Sequence, residues 1–134
     1  MYGIGVDTTT ISRIKKSLER ESFLHFVYGE NEIALFYNDK INYNSLAANF
    51  AAKEAFSKAL GTGVVGFSLN EVEILRNENN APYFKLSGKA KNIIDNLNIE
   101  PFISLTHEKD IATAFVILYN FWQYKETVWN KLIN

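Results

Sequence analysis

One stretch limits what this chain can fold into more than any other: Leu46-Ala-Ala-Asn-Phe-Ala-Ala-Lys-Glu-Ala-Phe-Ser-Lys-Ala-Leu60, followed by Gly61-Thr62-Gly63. Alanine and leucine are strong helix formers, and neither proline nor glycine interrupts the run. The glycines on either side of Thr62 form a natural stop, because glycine accepts the left-handed backbone that ends helices. Wound at helical pitch, the apolar side chains spread over most of the circumference, so the helix needs neighbours on several sides and is predicted to be central. Asn49, Lys53 and Ser57 form one small polar strip. Glu54 and Lys58 stack four residues apart on a different arc, beside Ala47, Phe50 and Ala51. Charges among apolar side chains are expensive unless paired or bound to a ligand or metal.

With 134 residues and 47% apolar content, the chain is expected to form a single domain over 1–134 with a real core. Cysteine is absent, which removes disulfides, zinc–thiolate sites and thiol nucleophiles. A formal charge of −1 supplies no global field for nucleic acid. The start, Met1-Tyr-Gly-Ile-Gly-Val6, lacks the basic and long apolar segments of a signal peptide. The apolar stretch Ile111 to Tyr119 is too short to span a bilayer. The expectation is a cytoplasmic protein with neither a membrane nor a nucleic-acid partner.

Tyr2 to Val6 reads as a strand whose glycines admit close approach of another backbone. It runs into Asp7, which either caps the next helix or points its carboxylate into a cleft. That helix, predicted over Ile11 to Arg20, places Arg13, Lys16 and Arg20 on one face. Such a stripe is either a solvated face or a docking surface for an acidic partner. Glu30 to Phe36 starts another short helix. Val72 to Leu75 and Pro82 to Leu86 form a predicted hairpin around Asn77-Glu-Asn-Asn80. Ser87 is a candidate cap for a helix over Lys89 to Leu97. Phe102 to Leu105 and Ile111 to Tyr119 complete the strands, and an extra amphipathic helix is expected at about 121–133. The fold class is α+β.

No Walker, zincin, nucleophile-elbow or EF-hand pattern occurs. Gly61-Thr62-Gly63 beside Lys58 is either a helix stop with a surface turn or a backbone nest for pyrophosphate. Asp7, Glu54 and His107 are the candidate reactive groups. Two carboxylates with phosphate oxygens suit a hard octahedral ion such as Mg²⁺, whereas a histidine is better placed to exchange protons or donate to phosphate.

Three blocks carry a resemblance. Gly3-Ile-Gly-Val-Asp7 with Ile11-Ser-Arg-Ile14, Phe50-Ala-Ala-Lys-Glu-Ala-Phe-Ser-Lys-Ala-Leu-Gly-Thr-Gly63, and Ile103-Ser-Leu-Thr-His107 are similar to the holo-[acyl-carrier-protein] synthase family, the short, trimeric branch of the 4'-phosphopantetheinyl transferases. The likeness runs from about residue 2 to 118, and the middle block is the most specific. It implies transfer of 4'-phosphopantetheine from coenzyme A to a serine of apo acyl carrier protein. By that resemblance Asp7 and Glu54 hold Mg²⁺ (or Mn²⁺), and Lys58 with Gly61, Thr62 and Gly63 contacts the nucleotide phosphates. It further implies that His107 lies in the nucleotide region across a subunit boundary of a homotrimer, and that Arg13, Lys16 and Arg20 dock the carrier. Two positions depart from the family pattern: Thr10 stands where a Glu is usual, and Asn49 where an Arg is usual. The alternative reading is a non-catalytic homologue that binds coenzyme A or a carrier protein.

Overall fold

The computed structural model describes residues 1–120 and 130–133. In chain order it contains β1 (Gly3–Thr10), α1 (Ile11–Ser17), α2 (Glu21–Val27), α3 (Glu30–Phe36) and α4 (Tyr43–Leu60). A short 3-10 turn at Leu69–Glu71 then leads to β2 (Val72–Arg76), β3 (Pro82–Leu86), α5 (Gly88–Asn96), β4 (Ile99–Glu108) and β5 (Ile111–Asn120). The strands form an antiparallel three-stranded sheet in the order β1-β5-β4 and a separate β2–β3 hairpin. The predicted α+β class and the hairpin are both present.

α4 is the central element, capped at its start by Asn42, whose side chain accepts the Ser45 amide at 3.0 Å. It ends at Gly61, where φ is 82° and the amide bonds back to the Lys58 carbonyl. One side of α4 packs Ala51, Ala55, Phe56 and Ala59 against the sheet residues Ala114, Val116 and Leu118 and the hairpin residues Val72 and Ile74. Its first turns, through Leu46, Ala47 and Ala48, join a second cluster with Ile14, Leu18, Leu24 and Val27. Two packing clusters on one helix explain why its apolar residues encircle it.

The backbones of β1 and α4 meet. A Cβ added at Gly3 would overlap the Ala59 carbonyl oxygen, and one at Gly5 the Ala55 carbonyl oxygen. The glycines therefore serve the close approach that their place in the strand suggested.

Several local expectations need correction. The first helix stops at Ser17 rather than Arg20, since Glu19 and Arg20 bond back to Lys16 and Ser17 in tighter three-residue turns. Arg20 is instead the N-cap residue of α2. Ser87 precedes α5 but makes no side-chain cap; the Glu71 carboxylate accepts the Lys89 amide instead. Glu73, on β2 between Val72 and Ile74, is an acid that the hairpin pattern alone would leave at the surface. It is buried because its carboxylate accepts the Asn31 and Glu32 amides at the start of α3. Residues 130–133 are helical and exposed, while Trp122, Trp129 and most of the predicted tail helix fall outside the described residues.

Candidate active site

β1 is an edge strand, and residues 3, 5, 7 and 9 alternate toward α4. Two glycines let the helix close on the strand, and the next residue in that alternation is Asp7. Lys58, reaching across from the last turn of α4, donates to the Val6 carbonyl and to the Asp7 carboxylate, each at 3.0 Å. Only 18% of the Asp7 side chain is exposed, against 55% of Lys58, so the carboxylate is held while the ammonium keeps a free side. Glu54 stands one turn back on the same arc of α4. Burial raises its proton affinity and the nearby Asp7 charge raises it further, while Lys58 and Arg13 act in the opposite direction. Asp7, Glu54, Lys58 and Arg13 thus form one electrostatic cluster drawn from β1, α4 and α1.

The helix-capping alternative for Asp7 is overturned. Thr10 occupies the N-cap position of α1 without a side-chain bond, and Asp110 accepts both the amide and the hydroxyl of Ser12. Asp7 lies three residues too early in the strand to reach those donors, and its carboxylate turns to Lys58. Gly61, Thr62 and Gly63 form an exposed turn directly beyond Lys58, with φ of 82° at Gly61 and 69° at Gly63. A Cβ at either glycine would meet nothing within 4 Å, so backbone conformation rather than crowding favours glycine there.

His107 does not join the Asp7 cluster within one subunit. It lies on β4, with β5 between it and β1. It lines a cavity of about 200 Å³ at the N-terminal end of α4, with Asn44, Ser45, Arg76, Asn80 and Thr106 among its neighbours. Arg13 and Lys16 are exposed on α1, and Arg20 is exposed beyond its end. The basic surface therefore spans a helix and a turn rather than one continuous helical face.

The polar strip on α4 has a use that the pattern alone did not reveal. Lys53 is fully buried, and its ammonium donates to Glu32 at 2.6 Å and to the carbonyls of Leu69 and Val72 at 3.0 and 2.5 Å. Glu32 also accepts from the Asn49 side chain at 2.8 Å and the Ile74 amide at 3.3 Å. Burial pushes Glu32 up and Lys53 down, each opposed by its partner's charge. All three donors on the ammonium are used, and these bonds favour the charged pair against the cost of burial. Glu32 and Asp110 were missed by sequence reasoning. A lysine on a buried face demanded an anion, but no local spacing identified which one.

The chain matches the model of the 4'-phosphopantetheinyl transferase superfamily over residues 3–117. It is 44% identical over 119 residues to a holo-[acyl-carrier-protein] synthase of Clostridium botulinum, covering 87% of this chain and 95% of that protein. The match to the synthase of Clostridium beijerinckii is 41%, covering 88% and 97%. This chain belongs to the 4'-phosphopantetheinyl transferase superfamily. Solved structures agree. The Neisseria meningitidis holo-[acyl-carrier-protein] synthase superimposes with a TM-score of 0.81 at 30% identity, covering 89% of this chain and 98% of that one. The Helicobacter pylori synthase in complex with coenzyme A gives 0.75 at 34%, covering 87% and 99%.

Within this phosphopantetheinyl transferase fold, the two departures have distinct settings. Thr10 is exposed at the junction of β1 and α1. Asn49 is fully buried, and its side-chain oxygen accepts from Arg76 at 3.0 Å. Arg76 also lies over the Phe36 ring, 5.0 Å from its centre. A guanidinium thus stands beside position 49, supplied by β2 instead of by the helix. Among the described residues no group of three His, Cys, Asp or Glu converges.

Proposed function

We propose that this chain transfers 4'-phosphopantetheine from coenzyme A to a serine of an apo acyl carrier protein. The observation that carries the reading is the Asp7–Glu54–Lys58 cluster at the β1–α4 contact, in a chain of this superfamily. The serine oxygen attacks the phosphorus that bears the pantetheine arm, and the bond to the bridging pyrophosphate oxygen breaks. The serine proton passes to a base, and adenosine 3',5'-bisphosphate departs. Lys58, half exposed and aimed across the cluster, meets negative charge gathering on the pyrophosphate. The open turn offers the backbone amides of Thr62 and Gly63 next to it, that of Gly61 being bonded to the Lys58 carbonyl.

Asp7 and Glu54 are the residues that would hold Mg²⁺, with phosphate oxygens and water completing an oxygen shell; Mn²⁺ fits the same donors. Burial first, and the Asp7 charge second, raise the proton affinity of Glu54, and a divalent cation relieves the repulsion between the two carboxylates. When bound, the ion neutralises charge on the pyrophosphate.

The reading includes a cytoplasmic homotrimer with sites at its subunit boundaries. Ile4, Val6, Phe115 and Ile111 lie on the sheet face turned away from α4, each at least 41% exposed. In this reading a neighbouring copy covers that face, and His107 serves the site of an adjacent subunit, since β5 separates its strand from β1. No helix among the described residues is long and apolar enough to cross a membrane. The basic surface of Arg13, Lys16 and Arg20 is assigned to the acidic carrier.

Mass spectrometry of apo carrier protein incubated with the enzyme, coenzyme A and Mg²⁺ tests the activity. The expected result is one added phosphopantetheine. An unmodified carrier that nonetheless binds the protein would replace this reading with a non-catalytic one. Light scattering tests the assembly, and a monomer at micromolar concentration would defeat it.

A further inference from the structure

α1 starts without a cap of its own. Thr10 makes no side-chain bond to the helix, and the first turn contains no acidic residue. The missing anion comes from 98 positions further along the chain. Asp110, in the turn between β4 and β5, accepts the Ser12 amide at 2.9 Å and the Ser12 hydroxyl at 2.5 Å. Its carbonyl accepts the Ile11 amide at 2.8 Å. One turn residue thus makes three bonds to two consecutive residues of the helix start.

A helix of seven residues does not hold its own direction. Ile11 and Ile14 bury its inner side, but hydrophobic burial is non-directional and fixes depth better than rotation. The paired bonds to Ser12 fix the rotation. Arg13, the next residue, lies close enough to Glu54 for its charge to be felt there, and Lys16 projects from the exposed side of the following turn. Any change in the roll of α1 therefore moves the basic surface relative to the reacting cluster.

We propose that Asp110 is a positioning residue for carrier docking: its carboxylate clamps Ser12 and so holds Arg13 and Lys16 at the angle that presents an acidic partner to Asp7, Glu54 and Lys58. The inference rests on the docking role assigned above to the basic surface. Asp110 bonds to Ser12 and Ile11, so it acts through the helix start. Its effect is carried by the orientation of α1, so it acts on carrier use and not on coenzyme A.

Steady-state kinetics of the full chain, with apo carrier and coenzyme A varied in turn, tests the clamp. Asp110→Ala is expected to raise the carrier KM about five-fold, the loss of a strong helix cap, and to leave the coenzyme A KM unchanged. Ser12→Ala, which keeps the amide bond, should produce a smaller rise in the same constant and serves as the test if Asp110→Ala does not fold. Arg13→Glu should cost less on the Asp110→Ala background than in the parent protein, because the misaligned arginine has less to lose. An unchanged carrier KM, equal rises for both substrates, or strictly additive losses would overturn the inference. The double reversal Arg13→Glu with Arg20→Glu separates the two levels of argument. If it leaves the carrier KM unchanged, the docking role itself is wrong. If it raises that KM while neither clamp variant does, only the role of Asp110 is wrong.

Discussion

Gly5 lies so close to Ala55 that a methyl group on the glycine would overlap the alanine carbonyl oxygen. That contact, repeated between Gly3 and Ala59, sets the distance between β1 and α4, and through it the placement of Asp7 against Glu54 and Lys58. Gly5→Ala must push the two backbones apart. The expected cost is roughly 1–3 kcal/mol of stability, the usual range for overpacking, measured by denaturant unfolding. A shift of about 1 Å in the cluster should also lower transfer by as much as about 100-fold at temperatures where the variant is still folded. Full activity in a folded Gly5→Ala variant would show that the strand–helix spacing does not govern the site.

Asp7→Asn and Glu54→Gln keep side-chain size but remove a negative charge. Each is expected to reduce transfer by about 100-fold, equivalent to roughly 3 kcal/mol of transition-state stabilisation. Added Mg²⁺ should restore part of the loss. Mn²⁺ titration in the presence of coenzyme A is the direct measurement, and equal affinity in the parent and both variants would remove the two carboxylates from metal binding.

The same Glu54 predicts a pH signature in the metal-free protein. Its proton affinity in the folded state is raised, by burial first and Asp7 second. Its protonated form therefore favours the native state, and stability is lost as pH rises through the raised folded value. Glu54→Gln cannot lose a proton, so it escapes that decline. With divalent ions chelated, its melting temperature should match the parent below the ordinary glutamate range, near pH 4, and exceed it at pH 7. A constant difference between the two across that span would show that the Glu54 charge is not under strain.

Lys53 and Glu32 make a closed system, with both side chains wholly removed from solvent. Lys53→Met strands the Glu32 carboxylate and leaves the Leu69 and Val72 carbonyls without their donor. The expected loss is about 3–5 kcal/mol. Adding Glu32→Gln should recover part of it, since a neutral amide is cheaper to bury than an unpaired charge. Chemical unfolding of the two variants checks both statements. Lys58→Met, at a partly exposed ion pair, should cost far less stability while impairing transfer.

The sequence by itself determined α4, its stop at Gly61, the β2–β3 hairpin and the close-approach role of the N-terminal glycines. These features follow from local preference and periodicity: alanine and leucine without a breaker, glycine where backbone torsion or contact demands it, and asparagines between two strand-like runs. It also separated Glu54 and Lys58 from the Asn49–Lys53–Ser57 strip, because residues four apart share a helical face. Partners were beyond its reach. Lys53 has Glu32 from α3, Ser12 has Asp110 from the β4–β5 turn, and Lys89 has Glu71 from the segment before β2. None of these carboxylates stood out in the sequence, where Asp7 and Ser87 were the cap candidates. Only the tertiary structure decided among them, because a hydrogen bond selects whatever acceptor folding brings within about 3 Å, and nothing in the spacing along the chain records that distance.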